Sequence, residues 1–307
     1  MDLSLVLTQA LNGFQLGVLL FLLAAGLTLV LGIMNFVNLA HGSFYMLGAY
    51  FAATLYGATG SFVAAAFGAV GGSFLLGVAV ERGALRRLYE RDHLDQVLAT
   101  FGLVLFFNEA ARMIWGPSPY YMDVPEALSG AVRLIGDRTY PVYRLLIVGV
   151  GLGVAVGAWL LIQKTRLGML IRAGASVGWM VGALGVNIKL LNTLLFGLGA
   201  ALAGLAGVMV GPILSVQVGM GEPILILTLV TIVIGGIGSI RGAFLGAVIV
   251  GMVDTLGRTM LPILLREVLD RAAANAAGPA IASMLIYLLM AGVLAVKPQG
   301  LFPVKKG

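Results

Sequence analysis

The 307-residue chain is 60% hydrophobic and only 10% charged, with a mean hydropathy of +1.04, a composition that excludes a soluble globular domain. It has no cysteine, which rules out disulfides, thiolate metal sites and a cysteine nucleophile. The formal charge of +6 is spread over loops and needs no nucleic acid to account for it, because positive charge held on the cytoplasmic side of a membrane suffices.

Apolar runs of bilayer-spanning length recur along the chain. The start, MDLSLVLTQ, has an acid and no Lys or Arg. It lacks the basic start of a signal peptide, so the first span is expected to be retained, with its N-terminus outside. Spans are predicted at Leu11–Ile33, Phe36–Tyr56, Ser61–Val80, Gln96–Ile114, Val142–Ile162, Leu190–Gly211, Pro223–Ile234, Ala243–Gly257 and Gly278–Val296. The expected fold is all-α: a polytopic membrane protein of roughly nine transmembrane helices, within a range of eight to ten. Residues 1–307 read as a single transmembrane domain.

Basic residues orient the spans. Arg82, Arg86, Arg87 and Arg91 share one loop; Lys164, Arg166, Arg172 and Lys189 share another; Lys297, Lys305 and Lys306 sit in the tail. Placing all three inside puts the C-terminus in the cytoplasm and loops 115–141 and 258–277 outside. The outer loop carries Trp115, Pro117, Pro119, Tyr120, Tyr121 and Pro125, residues that anchor a loop at headgroup level.

Asn35, Asn38, His41 and Ser43 cluster where the second span begins. Unsatisfied polar groups are costly in hydrocarbon, so the cluster is expected to face protein, water or the cytoplasmic interface. No metal site is expected, since the only other histidine is His93 and no acidic cluster accompanies either. Asn108, Glu109 and Arg112 sit near the outer end of the fourth span, and Glu109 and Arg112, like Asp254 and Arg258, have the spacing of pairs along one helix face. Glu222 opens a span and suits its positive dipole end.

NLAHGSF (38–44) and GSIRGAF (238–244) share Gly and Phe 200 residues apart, and each opens a helix rich in small residues. This reads as a weak internal repeat of undetermined hand, and duplicated spans interrupted by polar residues point to a transport pathway. Ser239 and Arg241 therefore join Asn35, Asn38, His41 and Ser43 as candidates for path or gate. Gly197, Ala200, Gly204, Gly207 and Gly211 make a small-residue face for close helix packing.

The basic segment 163–189 lies between two spans as a candidate cytoplasmic loop. Ser176–Leu184 is predicted to form a short helix, capped by Ser176 and ended by a left-handed Gly185. Val177, Met180, Val181 and Leu184 fall on one apolar face, suited to a membrane surface or to a groove on a soluble partner. No nucleotide-binding G-x-x-x-x-G-K-[ST], H-E-x-x-H or G-x-S-x-G occurs, so no catalytic residue and no cofactor is expected on this chain, and any ATP is bound elsewhere.

Four stretches, GLTLVLGIMNFVNLAHGSFYMLGAY (26–50), ERGALRRLYERDHLDQVLATFGL (81–103), TRLGMLIRAGA with MVGALGVN (165–175 and 180–187) and LVTIVIGGIGSIRGAFLGAVIVG (229–251), together with the ending KPQGLFP (297–303), resemble the permease subunits of branched-chain amino acid ABC importers. The resemblance implies a multi-pass protein of the bacterial cytoplasmic membrane. It implies a second, related permease, two cytoplasmic ATPase subunits that bind ATP and a periplasmic substrate-binding protein as partners. It also implies that the loop after TRLG is a coupling helix for the ATPases, with Arg166, Arg172, Val177, Met180, Val181, Leu184 and Gly185 as its contact residues. Relatives commonly carry charges just before the MV-ALG stretch, where this chain has Val177, Gly178 and Trp179. The implied function is a permease for branched-chain or other apolar amino acids. The alternatives are a urea or short-amide importer, and a proton-coupled secondary transporter working through Glu109 or Asp254.

Overall fold

The computed structural model describes residues 3–135 and 138–303, with side chains described throughout except at 33, 134–135, 138 and 175–180. It is built from α1 (Leu3–Met34), α2 (His41–Thr59), α3 (Phe62–Gly83), α4 (His93–Trp115), α5 (Val142–Lys164), α6 (Arg166–Ala183), α7 (Ile188–Val210), α8 (Gly221–Gly235), α9 (Ile240–Leu265) and α10 (Arg271–Val296). One antiparallel hairpin, β1 (Ala131–Ile135) and β2 (Arg138–Pro141), stands in the loop between α4 and α5. Seven of the helices are long and apolar enough to cross a bilayer. With α2 and the short apolar α8 they match the nine predicted spans, and α6 is an additional helix. The protein is a multi-pass, all-α membrane protein.

Three local structures differ from the sequence expectation. The second span starts at His41 rather than Phe36, because α1 ends at Asn35 in a left-handed conformation (φ 48°) and the chain then runs extended. Asparagine tolerates that conformation better than most residues. The backbone N–H groups of Val37 and Leu39 are taken up by α4 side chains, Gln96 Oε1 at 3.2 Å and Thr100 Oγ1 at 3.2 Å. Second, α6 is one helix from Arg166 and not a short one from Ser176. Thr165 fills the capping role, its hydroxyl accepting from the Gly168 N–H at 3.1 Å. The predicted end holds, since Gly185 has φ 86°. Third, the outer loop contains the hairpin, which its turn formers did not announce, and Trp115 leaves it to stack on Tyr50 and donate to Thr54 at 2.8 Å.

Two long helices form the core. α1 runs antiparallel to α9, with Gly13, Gly17 and Gly32 facing Met252, Val248 and Gly238 so closely that a Cβ would meet the opposing backbone. α7 runs antiparallel to α3, with Gly197 against Phe74 and Gly204 against Ser73, as its small-residue face predicts. α1 and α7 cross each other at Gly26 and Gly199, again backbone to backbone. They point in opposite directions. The end of α1 leads to Phe36, which packs on Tyr89 near the start of α7, while Asn12 near its beginning binds Arg144 beside the end of α7. α2 packs on α3 as α8 packs on α9. The units α1–α3 and α7–α9 are therefore an inverted repeat, with α4, α5 and α6 between them in sequence.

The tail closes the far end of α8. Leu301 and Phe302 donate backbone N–H groups to Ile234 and Gly235 at 2.9 Å each, satisfying carbonyls that the helix end leaves open. The KPQGLFP and GGIGS stretches thus bind one another.

Candidate functional site

Both halves of the repeat break a helix. Residues 35–40 return along α4 after α1, and residues 211–220 return after α7. VNLAHGS (37–43) and VQVGMGE (216–222) then carry the same backbone pattern. Asn38 O accepts from His41 N at 3.5 Å as Gln217 O accepts from Met220 N at 3.3 Å. Ala40 O accepts from Ser43 N at 3.0 Å as Gly219 O accepts from Glu222 N at 3.4 Å. The repeat partner of 38–44 is thus 217–223, not 238–244. GSIRGAF instead makes the tight turn of the α8–α9 hairpin, with Gly238 at φ 84° and Ser239 capping α9 through the Gly242 N–H at 3.1 Å.

The N-termini of α2 and α8 meet at Gly42 and Gly221, each occupying the space a Cβ on the other would need. The meeting point is interior. His41 Nε2 donates to the Leu23 carbonyl at 3.1 Å, about 16 Å before the end of α1 at 1.5 Å per residue, and Asn108 beside it lies two-thirds of the way along α4. Neither helix start has a side-chain cap; the N–H groups of His41, Ser43, Met220 and Glu222 bond backbone carbonyls, and both helices turn a positive dipole end to the interior.

Around this junction lies a cavity of about 10 Å³, the space of one water, lined by Leu39, Ser43, Met46, Val104, Asn108 and Glu222. Asn108 Nδ2 donates to Glu222 Oε1 at 2.6 Å, and Glu222 Oε2 is buried without a partner. Asn38 is 2% exposed and both atoms of its amide lack partners. Unmet polar groups of this kind are rare inside proteins and mark strain or function.

Of the predicted path residues, Asn38, His41 and Ser43 are buried together here. Asn35 is exposed at the end of α1. Ser239 and Arg241 lie apart, beyond the other end of α8, about 21 Å away along that helix, and Arg241 is exposed. Asn108 and Glu222 join the site although the sequence reading placed them at span ends. The signal that locates Glu222 is the VQVGMGE echo of VNLAHGS.

In the coupling segment, Arg166, Arg172 and Gly185 are exposed, and the Arg172 guanidinium binds the Ile162 carbonyl. Val181 is buried and Leu184 is 80% exposed, so the expected apolar face divides. Leu184 lies past the last helical residue, where the helical period no longer applies. The side chains of Val177 and Met180 lie outside the described residues. Glu109 pairs with Arg112 at 3.7 Å, both exposed, and Asp254 pairs with Arg258 at 2.7 Å on α9. Neither carboxylate faces the central cavity.

Residues 9–294 match the family model described as branched-chain amino acid transport system / permease component. The chain is 33% identical over 268 residues to the high-affinity branched-chain amino acid transport system permease protein BraD of Pseudomonas aeruginosa, covering 82% of this chain and 86% of that protein. It is 29% identical to the corresponding LivH of Escherichia coli K12, covering 86% and 90%. It is 27% identical to the probable branched-chain amino acid transport permease LivH of Methanocaldococcus jannaschii, covering 78% and 76%. With its two broken helices and its match along nearly the whole chain, this protein belongs to the branched-chain amino acid transport system permease family.

Proposed function

We propose that this protein is the membrane-spanning permease subunit of an ATP-driven importer for branched-chain or other apolar amino acids, and that the junction of α2 and α8 is the closed gate of its path. The observation that carries the reading is the backbone contact of Gly42 with Gly221 inside an inverted repeat. Transporters place substrate at such repeat interfaces, where half-helix N-termini meet anionic groups. Asn38, His41, Ser43, Asn108 and Glu222 line or adjoin that gate. An α-amino acid presents both charges, which suits two positive helix starts beside a buried carboxylate.

The assembly on this reading contains a second related permease, two cytoplasmic ATPase subunits and a periplasmic binding protein, in the bacterial cytoplasmic membrane with the C-terminus inside. α6 and the turn after it are the ATPase-docking element, through exposed Leu167, Met169 and Leu184 beside Arg166 and Arg172. A proton-coupled mechanism has less support, since Glu109 and Asp254 are ion-paired away from the gate.

The test is uptake of radiolabelled L-leucine into proteoliposomes containing the complex isolated with its native partners. Uptake that requires both ATP and the binding protein is expected. Uptake driven by a proton gradient without ATP contradicts the reading.

A further inference from the structure

The 81–103 stretch holds the re-entrant segment through Gln96 and Thr100, and it also contains the most heavily bonded carboxylate among the described residues. Glu81, near the end of α3, is 0% exposed. Its Oε1 accepts from the Tyr89 hydroxyl at 2.9 Å and from Arg86 Nε at 3.3 Å. Its Oε2 accepts from Arg86 Nη2 at 3.2 Å and from the Thr193 hydroxyl at 2.8 Å. Burial, and then the Glu81 charge beside it, push the Tyr89 phenol well above its ordinary range, so Tyr89 stays a donor. A buried carboxylate needs such partners, and loss of one leaves charge uncompensated.

The position of each partner matters. Thr193 is in the first turns of α7, directly after the Gly185 turn that joins it to α6. Tyr89 and Arg86 belong to the connection between α3 and α4, and the Tyr89 ring meets the Phe36 ring edge-on at 5.4 Å. Phe36 is the second residue of the re-entrant segment. The same connection is tied to that segment again through Gln96, whose Nε2 donates to the Leu88 and Arg91 carbonyls at 3.3 and 3.1 Å while its Oε1 accepts from Val37 N. The segment is extended and hangs on α4 side chains, so its displacement breaks two side-chain bonds and no helix.

We infer that Glu81 is a positioning residue that links the α6–α7 turn to the gate, so that displacement of α7 is carried through Thr193, Glu81 and Tyr89 to Phe36 and on to Asn38. Glu81 touches no substrate. Its task is to make the gate follow the docking helix, and this inference rests on the proposed importer function.

The experiment measures leucine uptake and binding-protein-stimulated ATP hydrolysis together, in proteoliposomes of the intact complex, for wild type, Glu81→Gln, Thr193→Val and Thr193→Ser. Glu81→Gln removes the charge, and Thr193→Val removes the hydroxyl, with its contacts to Glu81, Arg86 and the Lys189 carbonyl, at nearly constant shape. Both are expected to raise the ATP hydrolysed per leucine imported by at least about fivefold, the lower end of ordinary coupling between sites, while ATPase subunits remain bound. Thr193→Ser restores the hydroxyl and the wild-type ratio. A wild-type ratio in Thr193→Val, or uptake and hydrolysis falling in parallel in every variant, overturns the inference. If Glu81→Gln does not assemble, the Thr193 pair decides the question alone. Absence of ATP-driven uptake in the wild type is a different result, which overturns the importer reading itself.

Discussion

Asn108 and Glu222, on α4 and α8, are joined by a 2.6 Å hydrogen bond that leaves the second carboxylate oxygen buried and unmet. That bond fixes the first turn of α8 against a helix far from it in sequence, and it holds an anion at the point where two helix starts converge. A hydrogen bond to a charged group is worth about 1.5–3 kcal/mol. Asn108→Leu is therefore expected to lower the stability of the detergent-solubilised protein by about that amount, read as a fall in the thermal unfolding midpoint, and to reduce leucine uptake. Glu109→Gln, whose partner lies on the surface, is expected to shift the midpoint by less than about 1 kcal/mol equivalent.

The Gly42–Gly221 contact makes a sharper prediction. A single methyl at either position must displace opposing backbone. Gly42→Ala and Gly221→Ala are each expected to cost about 1–3 kcal/mol and to abolish uptake. Gly57→Ala and Gly71→Ala, which have nothing within 4 Å of the new methyl, are expected to be neutral or to stabilise by up to about 1 kcal/mol. Unfolding midpoints and uptake of the four variants check this.

Val181 on α6 and Leu184 in the turn after it are expected to behave oppositely. Leu184→Glu places a charge on an exposed apolar residue. It is expected to weaken ATPase recovery in a pull-down by about 2 kcal/mol, roughly thirtyfold in affinity, with the unfolding midpoint unchanged. Val181→Glu buries an unpaired carboxylate and is expected to destabilise the protein itself.

The tail strap depends on Gly300, which has φ 83° and lies against Gly236. Gly300→Val forces a β-branched residue into the left-handed region, at about 1–2 kcal/mol, and adds a collision. Faster proteolytic removal of the tail, without loss of the spans, is the expected outcome.

The spans and their number were legible because hydropathy over about 20 residues reports bilayer crossing directly. The interruptions were less legible. Phe36–Ala40 is as apolar as a helix would be, but its N–H groups are claimed by Gln96 and Thr100, some sixty residues away, and no local signal records that. The site was half visible. Asn38, His41 and Ser43 stood out as polar residues at a span start, whereas Asn108 and Glu222 looked like ordinary residues near span ends. Matching on Gly and Phe chose the wrong repeat partner, because glycine opens both a hairpin turn and a re-entrant helix. The hydrogen bonds at 217–222 distinguish the two. The Ser176 cap failed for a related reason, since Thr165 offers an earlier cap and the helix propagates from it.

If the junction of α2 and α8 is the gate of the path, it opens during turnover. Because the chain has no cysteine, Ser43→Cys gives a single thiol at that junction with little change in size. The first measurement is its labelling by a membrane-impermeant maleimide in the intact, reconstituted complex, at rest and during ATP turnover with binding protein and leucine. A protected thiol at rest, labelling during turnover and loss of uptake once labelled are expected. A thiol that stays protected in every nucleotide state while uptake continues would contradict a gate there.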